Sequence, residues 1–142
     1  MHGFTDRIDA PEISQRFGKE SQKFLSDLVL NKIVSVQTLG KDVYSRSIGK
    51  ITLNDIDINA KMVECGYSWW NNAYAPKEES LHILETSARA SKLGLWSDTE
   101  TPIPPWRWRK MLKIQELQEA QKKPEKPRAI YRELVTDEDL EI

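Results

Sequence analysis

The sequence has few of the residues from which covalent or metal cross-links are built. Its 142 residues include one cysteine, Cys65, and two histidines. One cysteine cannot form an internal disulfide, and together with two histidines it cannot supply the four nitrogen and sulfur ligands of a usual zinc site. The sequence therefore excludes a disulfide framework and a zinc-stabilised fold.

Long hydrophobic runs are also missing. No stretch approaches the roughly 18 to 20 apolar residues that a membrane span requires, and residues 1–12 already hold four charged side chains. We therefore expect no membrane partner and no recognisable signal peptide. These features favour a cytoplasmic location for the chain as written, whereas a signal upstream of Met1 would direct export.

The chain lacks an overall excess of charge of either sign, but its charge is not evenly spread. With 21 basic and 22 acidic residues the net charge is −1, so no global positive field indicates nucleic acid. The local net charge is −2 over 1–100, +5 over 101–128 and −4 over 129–142.

The chain has the length of one domain. We predict a globular domain over 1–98, a Pro/Trp-rich connector with a basic helix over 99–123, and a charged tail over 124–142 that stays solvated or folds back.

Hydrophobic periodicity predicts four helices. An apolar stripe with three- and four-residue spacing starts near Phe17, and Asp57 can cap a short helix that ends before Gly66. The other two helices are predicted over 77–92, with Gly94 as the stop, and over 106–122. Two β-strands are predicted, one from Ile33 to Gly40 and one from Ser47 to Leu53, with a bulge or close backbone approach at Gly49.

One short acidic motif carries candidate chemistry. Asp9-Ala10-Pro11-Glu12 places two carboxylates three residues apart around a proline. Hard divalent cations prefer such oxygen ligands, and a carboxylate beside a bound cation can position water for attack on phosphorus. Arg46 could neutralise charge on a phosphate. Alone, the acidic motif is also typical of a turn or a helix cap, and Arg46 of a surface arginine.

Five segments in a fixed order resemble the staphylococcal nuclease-like family. They span roughly residues 7–98 and read Ile8–Glu12, Phe17–Ser21, Asp42–Arg46, Lys61–Val63 before Gly66, and Ala88–Ser97. The resemblance implies an α+β fold, an OB-type barrel with helices packed on it and an additional C-terminal helix. It also implies a Ca²⁺-dependent phosphodiesterase that acts on DNA and RNA.

The resemblance implies roles for individual residues. Asp9 matches a calcium-ligating aspartate, and Ala10 stands where a backbone carbonyl contributes to the metal. Glu12 matches the glutamate that orients or deprotonates the attacking water, and Arg46 matches a phosphate-clamping arginine. Tyrosines near the nucleotide are matched by Tyr44 and Tyr74.

The sequence also departs from the family pattern. Ser45 replaces a glycine in the loop before Arg46, and Phe4 stands where the family places its first arginine. An earlier metal-binding aspartate should lie upstream of Asp9, in a part of the pattern that this chain does not contain. We therefore expect an N-terminally incomplete barrel that a second copy or a partner chain could complete.

Three functions from different classes stay open at this point. The first is a metal-dependent nuclease, the second a catalytically silent nucleic-acid-binding protein, and the third an interaction module that pairs its open sheet edge with another chain. A run of alternating aromatic and cationic side chains suits single-stranded nucleic acid, although its tryptophans could instead dock onto the domain. It comprises Trp106, Arg107, Trp108, Arg109 and Lys110.

Overall fold

A computed structural model describes residues 4–5, 8–41, 47–72 and 78–122. Within these ranges the structure has six strands, four α-helices and one 3₁₀-helix. In chain order they are β1 (Phe4–Thr5), β2 (Ile8–Asp9), α1 (Gly18–Val29), β3 (Ser35–Lys41), β4 (Ser47–Leu53), β5 (Ile56–Asp57), α2 (Ile58–Glu64), β6 (Trp69–Trp70), α3 (Glu79–Ala90), a 3₁₀-helix (Gly94–Ser97) and α4 (Pro105–Lys122). The mixture of strands and helices confirms the predicted α+β class.

The strands form two sheets. In the larger one, β4 pairs with β3 and β5 in antiparallel fashion and with β1 in parallel. In the smaller one, β2 pairs antiparallel with β6, so that Ile8 lies opposite Trp70 and Asp9 opposite Trp69. The fold is OB-like. Closure of the predicted OB-type barrel is not detected among the described strands.

The predicted irregularity near Gly49 lies on the partner strand. The register of the β3–β4 pair shifts between Thr38 and Gly40, and Gly49 pairs with Thr38 at this point. A Cβ atom on Gly49 would lie 3.3 Å from Cγ1 of Val36 and 3.5 Å from the Gln37 carbonyl oxygen, so a larger residue would crowd the Val36 side chain. The strand predicted from Ile33 begins only at Ser35, and Ile33 itself is almost fully exposed.

The core lies between the helices and the smaller sheet. Ile8, Met62, Val63 and Leu81 form its buried centre, and half-buried side chains of α1 pack against them. Burial of this apolar surface is the main favourable term for folding. The stripe predicted for the first helix therefore faces the core, as its spacing indicated.

Helix α2 begins and ends as its sequence predicts. The Asp57 side chain accepts a hydrogen bond from the Ala60 N–H at 3.0 Å, which satisfies one of the free donors of the first turn. After the helix, Gly66 adopts φ +80°. The buried Asn59 side chain accepts from the Ile51 N–H and donates to the Gly49 carbonyl, which ties α2 to β4.

A buried carboxylate connects α3 to the smaller sheet. Glu85 accepts the Trp70 N–H at 2.6 Å and two guanidinium N–H groups of Arg89 at 2.8 and 3.1 Å. The same guanidinium lies 4.0 Å from the ring centre of Trp96. Because β6 pairs with β2, this network also supports the strand that carries Asp9.

We expect Glu85→Ala to lower the free energy of unfolding by about 2 to 3 kcal/mol, because hydrogen bonds to charged groups contribute about 1.5 to 3 kcal/mol. Glu79→Ala, at an exposed position of the same helix, should cost less than about 1 kcal/mol. Urea unfolding followed by circular dichroism measures both. Equal losses would show that the Glu85 network does not stabilise the fold.

Two compact units divide the chain, residues 1–108 and residues 109–142. Helix α4 starts in the first unit with Pro105 at its first turn, a favoured position for proline. Its residues from Arg109 to Lys122, all exposed from Lys110 onward, belong to the second unit. The boundaries predicted at residues 98 and 123 stay predictions. None of the helices in the described ranges is long and apolar enough to cross a membrane.

Candidate active site

The acidic motif lies in the loop that joins β2 to α1. Asp9 is the last residue of β2 and is only 5% exposed, because its strand pairs with the buried Trp69. Ala10 is half-buried, Pro11 is buried and Glu12 is half-buried. The loop thus brings together three of the predicted site residues, Asp9, Ala10 and Glu12.

Backbone and side-chain hydrogen bonds hold the loop in one conformation. The Glu12 carbonyl accepts the Gln15 N–H at 2.8 Å, and the Glu12 N–H donates to Oε1 of Gln15, also at 2.8 Å. The Gln15 carbonyl accepts the Gly18 N–H at 3.0 Å. Phe17 has a left-handed backbone with φ +64°. These contacts fix the main chain at Glu12 on both of its sides.

Gly18 allows α1 to approach this loop. A Cβ atom at Gly18 would overlap the Glu12 carbonyl oxygen and lie 2.9 Å from Cα of Ile13. Real Cβ atoms do not tolerate such distances to backbone. The glycine in the Phe17-Gly18-Lys19 segment therefore permits the helix to start directly behind Glu12.

A segment far along the chain covers the same loop. We call residues 98–108 the proline-rich strap. Three consecutive loop residues bind it: Trp108 donates its indole N–H to Oγ of Ser14 at 3.1 Å, Gln15 donates to the Ile103 carbonyl at 2.7 Å, and Arg16 donates to both carboxylate oxygens of Asp98 at 2.9 and 3.0 Å. Loop and strap line a pocket of about 260 Å³ with Trp69 and Leu95.

The aromatic and basic run falls on both sides of the unit boundary. Trp106 is 41% exposed and meets Trp69 edge-on at a centroid distance of 6.5 Å, while Trp108 binds Ser14. Arg107 is exposed. Arg109 and Lys110 belong to the second unit. The two tryptophans therefore have contacts within the first unit, and the role of the run in nucleic-acid binding stays a prediction.

The remaining predicted site residues, Tyr44, Arg46 and Tyr74, lie outside the described residues. Of the side chains that join loop and strap, sequence reasoning singled out Trp108 but not Ser14, Gln15 or Arg16. Gln15 follows Glu12 by three residues, which is the spacing of a turn. That spacing gave no signal of its bond to Ile103, 88 residues away.

Comparison of the sequence with known proteins assigns the chain to a family. Residues 6–98 match the model of the staphylococcal nuclease homologues. The chain belongs to this family. An uncharacterized endonuclease of Haemophilus influenzae is 42% identical over 107 residues, and another of Escherichia coli O157:H7 is 39% identical over 103 residues. A micrococcal nuclease of Shigella flexneri is 34% identical over 116 residues.

The three alignments cover 72 to 75% of the present chain. They cover 59% of the Haemophilus influenzae relative, 66% of the Escherichia coli relative and 66% of the Shigella flexneri relative. A plant relative, an uncharacterized 38.1 kDa protein of Capnoides sempervirens, is 42% identical over 103 residues but is covered over only 30% of its length. The chain thus spans less than two thirds of these curated relatives. The family match ends at Asp98, the first residue of the strap.

The donors of the staphylococcal nuclease homologue loop suit a hard cation. Asp9 supplies a buried carboxylate, and the Ala10 carbonyl is a second oxygen donor. The described ranges contain no group of three His, Cys, Asp or Glu side chains that could hold a metal. Asp9 and Ala10 thus fit Ca²⁺ in donor type, and water, substrate or other residues would complete the ligands.

Cys65 lacks the lowered pKa of an activated cysteine nucleophile. Burial raises the pKa of its thiol, with Glu64 adding to the rise and Lys61 opposing it. Only the thiolate is a good nucleophile, and a raised pKa keeps the thiol protonated near neutral pH. The acidic loop therefore carries the candidate chemistry of this family member.

Proposed function

We propose that this chain is a Ca²⁺-dependent nuclease that hydrolyses phosphodiester bonds of DNA or RNA. The observation that carries the proposal is the loop between β2 and α1, which holds Asp9, Ala10 and Glu12 on a backbone fixed by hydrogen bonds. Relatives that are named endonuclease or micrococcal nuclease support the same activity.

Each loop residue has a separate task in this proposal. Asp9 and the Ala10 carbonyl hold the cation. A bound Ca²⁺ would neutralise charge on the scissile phosphate. Glu12 orients the attacking water and accepts its proton. The new P–O bond forms as the bond to the leaving sugar oxygen breaks, and that oxygen takes a proton from solvent.

Residues outside the described ranges complete the proposed site. Arg46 donates to the phosphate oxygens, because a guanidinium can bind two of them at once. Tyr44 and Tyr74 contact the nucleotide. Their assignment rests on the family resemblance of the sequence, in which Tyr44 belongs to the Asp42–Arg46 segment and Tyr74 follows Trp70 by four residues. The run Trp106–Lys110 is proposed as a further contact with single-stranded nucleic acid.

Release of acid-soluble nucleotides from single-stranded DNA tests the proposal. The purified 142-residue chain should degrade the DNA in Ca²⁺ and should stop when a chelator is added in excess. Circular dichroism before and after chelation controls for unfolding. A folded chain that binds the DNA in a salt-sensitive manner without degrading it would contradict the nuclease and would favour a nucleic-acid-binding protein.

A further inference from the structure

The side chain of Gln15 connects the loop to the proline-rich strap at one point. Its Oε1 accepts the Glu12 N–H at 2.8 Å, and its Nε2 donates to the Ile103 carbonyl at 2.7 Å. We propose that Gln15 is a positioning residue, through which the strap holds Glu12 in place for attack on the phosphate. The inference rests on the proposed role of Glu12 and adds to it Gln15, which lies within the family match, and the strap, which continues beyond that match.

The neighbouring strap contacts differ from this one. Ser14 and Arg16 also bind the strap, through Trp108 and Asp98, but neither of these side-chain bonds reaches Glu12. The Arg16 side chain is 67% exposed and that of Asp98 only 4%, so this two-bond ion pair anchors the strap at Asp98. Of these three residues, Gln15 is the one whose side chain forms hydrogen bonds both to the strap and to the Glu12 backbone.

The chemistry of an amide suits this position. A carboxamide offers an acceptor and a donor at one end of the side chain, and here both are used. A carboxylate at position 15 would keep the acceptor for Glu12 but would face the Ile103 carbonyl without a proton to donate. An apolar side chain of similar length would lose both bonds and would leave the Glu12 N–H without this acceptor.

The expected consequence is a fall in kcat with little change in KM. A general base acts only when it lies within hydrogen-bond reach of the water, and small displacements of catalytic groups reduce rates strongly. Substrate binding through the proposed cation ligands and Arg46 does not involve Gln15. Gln15→Met should therefore lower kcat about 10- to 100-fold and change KM less than about threefold.

Ser14→Ala is the matched control, because it also removes one side-chain bond between loop and strap. It should leave kcat within about twofold of the unchanged chain. The two variants are compared in kcat, in KM and in melting temperature. Gln15→Glu serves as a second variant in case Gln15→Met does not fold, and its kcat should also fall at least about fivefold because the Ile103 bond is lost.

Hydrogen exchange at the Glu12 amide gives a readout that does not depend on activity. This N–H donates to Gln15, so its exchange in metal-free protein should accelerate at least about tenfold in Gln15→Met and less than about threefold in Ser14→Ala. Equal exchange rates in the two variants would overturn the inference. Equal kcat values in the two variants would overturn it as well.

A double-mutant cycle with Glu12→Gln separates this inference from the proposed function. If Gln15 acts through Glu12, Gln15→Met should lower kcat much less in the Glu12→Gln background than in the unchanged chain. The same fall in both backgrounds would contradict the positioning role while leaving the nuclease intact. A Glu12→Gln variant with undiminished kcat would refute the proposed role of Glu12 and, with it, the inference.

Discussion

Replacement of Glu12 by glutamine is expected to lower the Ca²⁺-dependent kcat by about 100- to 10,000-fold, since a positioned general base contributes about that factor. Glutamine has nearly the size and shape of glutamate, but its amide cannot accept the proton of the attacking water. The two hydrogen bonds between Glu12 and Gln15 use the Glu12 main chain, which the substitution leaves in place. The fold should therefore persist while the reaction slows.

Glu20→Gln is a matched control for this prediction. Glu20 is an exposed residue in the first turn of α1, so its replacement removes one negative charge near the loop and leaves the proposed site unchanged. Its kcat should stay within about twofold of the unchanged chain, with at most a small loss at the helix N-terminus. Initial rates at saturating single-stranded DNA compare the variants. A Glu12→Gln variant as fast as Glu20→Gln would exclude Glu12 as the group that activates water.

Alanine at Gly66 is expected to be strongly destabilising, with a loss of at least about 3 kcal/mol. Gly66 has φ +80°, a region that costs an alanine about 1 to 2 kcal/mol. An added Cβ would also overlap the Leu93 carbonyl oxygen and lie 2.6 Å from its carbon. Both neighbours are backbone atoms, so no side chain can move aside to relieve the overlap.

The contact at Gly66 is reciprocal, which explains why relief is difficult. The Gly66 carbonyl accepts the N–H of Leu95 at 2.8 Å, and a Cβ on Gly94 would overlap that same carbonyl. Leu95 is almost fully buried. A shift at Gly66 would therefore pull the end of α2 away from the 3₁₀-helix and loosen a buried side chain.

Gly40→Ala separates the two causes of this loss. Gly40 also has a positive φ, +126°, but a Cβ there would meet nothing within 4 Å. Its loss therefore reports backbone strain alone. In urea unfolding, the free energy of unfolding of Gly66→Ala should be at least about 1.5 kcal/mol lower than that of Gly40→Ala. A smaller difference would mean that the backbone at Gly66 and Leu93 relaxes freely.

The local elements could be predicted from the sequence because their signals are local. The spacing that begins near Phe17, the cap at Asp57 and the glycine at Gly66 all act within a few residues, and the structure confirms the helices that they define. The predicted strand Ser47–Leu53 is confirmed with the same bounds. One local signal was misread, since α3 ends at Ala90 with Lys92 in the left-handed region, before Gly94.

The arrangement around the candidate site could not be predicted in the same way. Strands β2 and β6 have two residues each, too few for any periodic pattern to show. The acidic loop was found because carboxylates around a proline suit a cation. Its bond to the strap depends on a carbonyl oxygen at Ile103, and a main-chain acceptor leaves no mark in the sequence.

Two of the three strap anchors, Asp98 and Ile103, have a consequence for how the chain can vary. Asp98 binds through its side chain, whereas Ile103 binds through a carbonyl that every amino acid possesses. Inserting or deleting one residue between them would move the carbonyl out of register with Gln15, while exchanging Ile103 for another residue would keep the acceptor. Natural selection on this segment should therefore preserve its length more strictly than the identity of its residues.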